Sequence, residues 1–164
     1  NYSIILGAAI HVIDLVMWIL DRKPKNVYSV GNTLATKKSK FKGNSFELIV
    51  LEFENGLIVK ITGNGPCKYE HFHELKIFSE KYSIIHSLFN SNVFLKNNKK
   101  KKLLGNYPDK KNRKNYIRSF ISDLRKNKKQ SIKEKQRLFD LMTVCLHAVK
   151  SSKKRKKIKL NYNI

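Results

Sequence analysis

The chain has 164 residues, with 35 Lys+Arg against 12 Asp+Glu, a formal net charge of +23, and 41% hydrophobic residues. A chain of this length buries roughly 70% of its unfolded surface when it folds, so a real core is expected and a disordered polybasic tail is excluded. Only two cysteines, Cys67 and Cys145, stand far apart, which excludes a disulfide scaffold and makes a reducing compartment, the cytoplasm, the expected location.

The first element is the apolar run Ile4 to Leu20, IILGAAIHVIDLVMWIL. It brushes the lower length limit of a membrane span, roughly 17 residues, but His11 and Asp14 near its middle would be costly in lipid. Asn1 to Ser3 ahead of it carry no basic residue and nothing like a cleavage site follows it, so a signal peptide is not expected. A buried helix is predicted instead, starting near Gly7 or Ala8. Asp21-Arg22-Lys23-Pro24 ends it, because proline disfavours helix at the residue before it.

Strands follow. Asn26 to Thr36 reads as extended, Ser45 to Glu54 as a long strand and Leu57 to Thr62 as its partner. Asn55-Gly56 between two apolar runs signals a two-residue hairpin with positive φ at both residues. Glu74 to Glu80, Tyr82 to Phe89 and Asn92 to Leu95 continue the strand pattern, and Asn97 to Arg113 reads as an irregular basic connection. Ile117, Phe120, Ile121 and Leu124 recur at helical spacing, as do Leu138, Leu141, Met142, Cys145 and Val149. Ser131 with Glu134 is a capping-box signature. The basic tail, residues 152–164, is expected to hold a last short strand at Ile158-Lys159-Leu160.

The order predicts an α+β fold: an open, mostly antiparallel β-sheet with helices packed on one face. Glu47, Ile49, Leu51 and Phe53 alternate with Phe46, Leu48 and Val50, so both strand faces are mostly apolar. A second subunit on the outer face is the simplest cover.

The positive charge has a bland source. Lys (29), Asn (16) and Ile (16) all have A/T-rich codons, while Arg, the usual residue for bidentate contacts to bases, numbers only 6. The runs Lys99 to Lys102 and Lys153 to Lys157 contain no aromatic residue for base stacking, so specific nucleic-acid binding is not expected.

His11 and Asp14 stand three apart on one helix face, a spacing that suits an acid/base pair and equally a buried polar pair that satisfies itself. Cys67, His71 and His73 have metal-capable side chains, but no fourth ligand stands nearby and no metal is expected. His71 and His73, placed with Leu75 and Ile77 on one strand face, are candidates for the rim of a ligand cleft. Gly63-Asn64-Gly65-Pro66 reads as a loop, and the chain carries neither a P-loop nor a G-x-G-x-x-G.

GAAIHVIDLVMWIL followed by NVYSVGN resembles the start of the C-terminal domain of the Gfo/Idh/MocA family of NAD(P)-dependent oxidoreductases. LIVLEFENGLIVKITGN resembles its central hairpin. HFHELKIFSEKYSI resembles the next strand pair, with Ser79-Glu80-Lys81-Tyr82 where the family usually has a Gly-Thr-x-Gly turn. YIRSFISDL (116–124) and the helix from Ser131 to Ser151 resemble the closing helices, so the likeness covers nearly the whole chain.

The resemblance implies a substrate-binding and oligomerisation domain spanning 1–164. An N-terminal Rossmann domain would precede it and would mainly hold NAD or NADP. The implied reaction is hydride transfer at a hydroxyl-bearing carbon of a sugar, nucleotide sugar or cyclitol. His11 matches the family's His in H-x-x-D and is implied as the catalytic proton carrier, and Asp14 as a residue that binds a substrate hydroxyl or fixes the ring. Gly7 stands where a carboxylate is common, so Gly7 is placed on the substrate side with altered or absent chemistry. His71 and His73 complete the expected substrate-binding set. The family's Glu-Lys-Pro motif and dinucleotide loop are not in this sequence, so the chain by itself is expected to be inactive. The alternatives are a noncatalytic basic module for nucleic acid or an acidic partner, and an inactive family member serving in assembly.

Overall fold

The computed structural model describes residues 3–96, 99–103, 110–126 and 132–162. Among these the elements run as a π-helical turn (Ile5–Ala9), α1 (Ile10–Leu20), β1 (Asn26–Asn32), β2 (Phe46–Glu52), β3 (Ile58–Asn64), β4 (Leu75–Phe78), β5 (Tyr82–His86), β6 (Ser91–Leu95), β7 (Lys100–Leu103), α2 (Lys110–Arg125), α3 (Ile132–Lys154) and β8 (Ile158–Lys159). The α+β class is as expected. The strands form two four-stranded antiparallel sheets, β3-β2-β1-β8 and β4-β5-β6-β7. The chain divides into two compact units, residues 1–68 with 130–164, and residues 69–129.

In the first unit the core follows from strand alternation. Val27 and Ser29 on β1, Glu47, Ile49 and Leu51 on β2, and Ile61 on β3 lie on one face and are buried. The registers Val27↔Leu51, Ser29↔Ile49 and Ile49↔Ile61 set these side chains side by side. Against them pack Ile5, Ala9, Ile13, Val16 and Met17, a stripe at three- and four-residue spacing, and Leu141, Val144, Cys145 and Ala148 of α3. The helical entry presses on β3 so closely that a Cβ at Gly63 would lie 2.6 Å from Ile4 Cγ2.

Several boundaries differ from the sequence reading. Helix begins before Gly7, because Ile4 and Ile5 have apolar surface to bury on β3. It ends at Leu20, with Asp21 in the left-handed region at φ 45°. The helix is not wholly buried: Trp18 is 63% exposed. β1 stops at Asn32 and turns follow.

The Asn55-Gly56 hairpin exists, but only Gly56 has positive φ (+79°). Gly56 N–H donates to Phe53 O and Phe53 N–H to Leu57 O, making a three-residue loop of the type I turn plus glycine-bulge kind. Gly63 and Asn64 belong to β3, and only Gly65-Pro66 leaves the strand. Residues 97–113 are not all irregular, since β7 and the start of α2 fall there. Ser131, Gly105 and Pro108 lie outside the described residues.

The last strand, β8, pairs antiparallel with β1 through Asn26↔Lys159 and Val27↔Ile158. It is short, and beyond it Ser151 takes over the open edge of β1. The Ser29 backbone N–H donates to Ser151 Oγ (2.8 Å), which itself donates to Lys156 O (2.6 Å). The Glu47 carboxylate, 4% exposed, sits beside this seam. It accepts from Ser29 Oγ (3.1 Å), Ser152 Oγ (3.0 Å) and the Asn44 amide. Gly31 is what admits it, because a Cβ there would fall 2.6 Å from Glu47 Cδ.

In the second unit β5 pairs with β4 and β6, and β6 with β7, the last an edge strand exposed throughout. The periodic apolar residues of α2, Ile117, Phe120, Ile121 and Leu124, do fall on a helix, but all four are exposed. No helix among the described residues is long and apolar enough to cross a membrane.

Two predictions follow from this packing. Glu47→Ala removes the acceptor of the buried Ser29 hydroxyl and of the half-buried Ser152 and Asn44 donors and should cost about 2–3 kcal/mol in urea unfolding, against less than about 1 kcal/mol for Glu47→Gln. Cys145 is buried, and burial first, then the charge of Asp14, pushes its thiol up to about 12. Its reactive thiolate is therefore scarce in the folded state at pH 8. A disulfide reagent should titrate one thiol per native chain, the exposed Cys67, and two after denaturation. Two fast thiols in the native protein would contradict the core described here.

Candidate functional site

The buried stripe of α1 fixes which residues it presents outward. Ile13, Val16 and Met17 face the sheet, so the opposite face carries His11, Asp14 and Trp18, with Gly7 one turn before. Gly7 and His11 are exposed and Asp14 is half-buried. The imidazole is thus open to solvent rather than sealed among hydrocarbon. The segment ahead of it is wound as a π turn, with the Ile10 N–H reaching back five residues to Ile5 O. Such turns are frequent where a helix serves a site.

Asp14 is held from α3. Arg137 Nη2 donates to Asp14 Oδ1 at 2.8 Å and lies 3.4 Å from the Asp14 carbonyl oxygen. Two further ion pairs accompany it, Lys133 with Asp21 (3.3 Å) and Lys23 with Asp140 (3.1 Å). Lys23 also lies 4.7 Å over the Tyr162 ring, whose hydroxyl donates to Pro24 O. Burial foremost, and then the charge of Asp140, raises the Tyr162 hydroxyl well above its usual range. Arg137 carries no motif signal. Only the helical phase of α3 against α1 brings it to Asp14.

The remaining candidates separate. His71 and His73 belong to the second unit and lie in coil just before β4, not on its face, because strand pairing begins only at Leu75↔His86. Their rings meet edge-on, 5.1 Å between centroids. Cys67 donates weakly to Asn64 O (3.9 Å). Among the described residues no three His, Cys, Asp or Glu side chains cluster as metal ligands would.

One shallow concavity lies along α2 at Arg118, Ile121, Arg125 and Lys126. Another lies where Asn32, Ser45, Phe46, Asn64 and Cys67 converge. Neither includes His11, which stands on an open helix face. The described residues offer no glycine-rich phosphate cradle. His11 and Asp14 put an imidazole and a carboxylate on that face, side chains whose chemistry includes proton exchange and hydrogen-bond acceptance from a hydroxyl.

No curated protein matches the chain by sequence. Among solved structures the chain is similar to the myo-inositol 2-dehydrogenase of Lactobacillus plantarum, with TM-score 0.73 and 15% identity over 97% of this chain and 49% of that one. It is similar to a levoglucosan dehydrogenase in complex with NADH and levoglucosan, with TM-score 0.74, 13% identity, and 96% and 50% coverage. It is also similar to an oxidoreductase from Agrobacterium radiobacter in complex with NAD+, L-tartaric acid and magnesium, with TM-score 0.71, 14% identity, and 93% and 48% coverage. At these identities the likeness establishes the fold, and the chain spans about half the length of each. The model of the GFO/IDH/MocA C-terminal domain matches residues 2–85, just over half of the sequence. The chain therefore belongs to the Gfo/Idh/MocA family of oxidoreductases, as its C-terminal domain.

Proposed function

We propose that this domain is the substrate side of an NAD(P)-dependent dehydrogenase or reductase that acts on a hydroxyl of a sugar, nucleotide sugar or cyclitol in the cytoplasm. The observation that carries the reading is the outward face of α1, where an exposed imidazole and a held carboxylate stand together on a helix whose other side is core. Apolar side chains are left uncovered around the same two helices: Trp18 and Ile19 on α1, and Leu138, Phe139 and Leu146 on α3. Exposed apolar surface of this extent marks a place that something else covers, and a cofactor-carrying domain is the cover this reading requires. The myo-inositol and levoglucosan dehydrogenases with the same fold support a polyhydroxylated substrate.

In this reading a nicotinamide, when bound, accepts or supplies the hydride at the substrate carbon. His11 takes the hydroxyl proton during oxidation and returns it during reduction. Asp14 accepts a neighbouring hydroxyl. Gly7 leaves room for substrate and supplies no carboxylate, so no second proton carrier stands one turn before His11. His71 and His73 are proposed as hydroxyl ligands in their own unit. The outer face of the first sheet, where Tyr28, Val30, Leu48 and Val50 are half-buried, is proposed as the contact between copies of the protein.

The reading is tested in the longer protein it requires, with NAD+ and NADP+ against hexoses, cyclitols and nucleotide sugars. His11→Ala should lower turnover about 10²–10⁴-fold at unchanged substrate affinity, the usual weight of a positioned proton carrier. Undiminished turnover removes His11 from the chemistry. No turnover by the unmodified protein would favour the assembly role instead.

A further inference from the structure

The ion pair between Asp14 and Arg137 joins α1 to α3, and its usual explanation is weak. Exposed ion pairs contribute little to stability, about 0–1 kcal/mol, and these side chains are 47% and 38% exposed. The geometry is more particular than a chance pairing. One guanidinium nitrogen addresses both the carboxylate and the main-chain oxygen of the same residue. It engages Oδ1 alone, and among the described residues Oδ2 carries no hydrogen bond. Asp14 lies three residues after His11, so the two side chains are neighbours on the helix surface.

We propose that Arg137 is a positioning residue of the site: it holds Asp14 by Oδ1 so that Oδ2 remains beside His11 to accept a hydroxyl of a polyol substrate. The proposal rests on the function proposed above. Without the guanidinium, Asp14 would sample several rotamers, and each binding event would have to select the productive one. Arg137 touches no substrate in this account and acts only through Asp14. Its contribution is made equally in the bound ground state and the transition state, so its loss shows in KM rather than in kcat.

The experiment is a double-mutant cycle in the longer protein, using whichever sugar or cyclitol of the panel is turned over fastest. Arg137→Gln should raise KM about tenfold with kcat within about twofold, the scale of one charge-assisted hydrogen bond. Asp14→Asn should raise KM by at least as much, and the double variant no further. Arg137→Lys, which keeps the charge without the fork, should fall between wild type and Arg137→Gln. A merely structural arginine would lower thermal stability and leave this KM pattern unmoved. Wild-type KM in Arg137→Gln, or effects that multiply in the double variant, would overturn the proposal while leaving His11 and Asp14 in place. Wild-type KM in Asp14→Asn would overturn it as well. Absence of turnover for every panel member defeats the functional reading itself, and the proposal falls with it.

Discussion

The seating of α1 on the inner face of the first sheet is the contact on which the account depends. Ile13 is fully buried in the core cluster that also holds Ile49, Leu51 and Val144, and Ile4 lies so close to β3 that only glycine fits at position 63. A helix held this tightly on one side cannot rotate, because turning it would drag hydrocarbon into water at about 25 cal/mol per Å². The opposite face is thereby fixed as well, and that face carries His11 and Asp14. Core packing and site geometry are two sides of one helix.

The large positive charge, the most conspicuous feature of the composition, is divided among local duties. The lysines of β7 occupy an exposed edge strand, where charge discourages pairing with another chain. Lys153 and Lys154 lie in the last turn of α3, where cations meet the helix dipole, and Lys157 beyond it pairs with Glu52. The Asn26 amide, then Lys157, hold the Glu52 carboxyl below its usual range. Each basic run thus has a structural reason in its own segment.

Much of the fold was legible in the residues themselves. Alternation along SFELIVLEFE marked β2, the Asn-Gly pair marked its hairpin, and Ile158-Lys159 marked the final strand. These features are local, and local sequence chemistry decides them. What could not be read was decided by partners distant in the chain. The loop after Phe53 took three residues rather than two because the pairing of Phe53 with Leu57 set its length. β7 has no apolar pattern and is a strand only because β6 offers it an edge. The apolar spacing of α2 announced a helix but not that its apolar side would be exposed. At the site, the His11 and Asp14 spacing was visible, whereas Arg137 reached Asp14 from 123 residues away through the phase of another helix.

The central claim is that the His11 ring meets substrate on an open helix face. Carbethoxylation of the histidines in the longer protein, followed residue by residue by mass spectrometry, tests it most directly. His11 should react readily in the free protein and be protected by the oxidised dinucleotide together with a polyol that the enzyme turns over. A ring that resists the reagent in the free native protein, or one equally reactive with both ligands bound, would contradict the account.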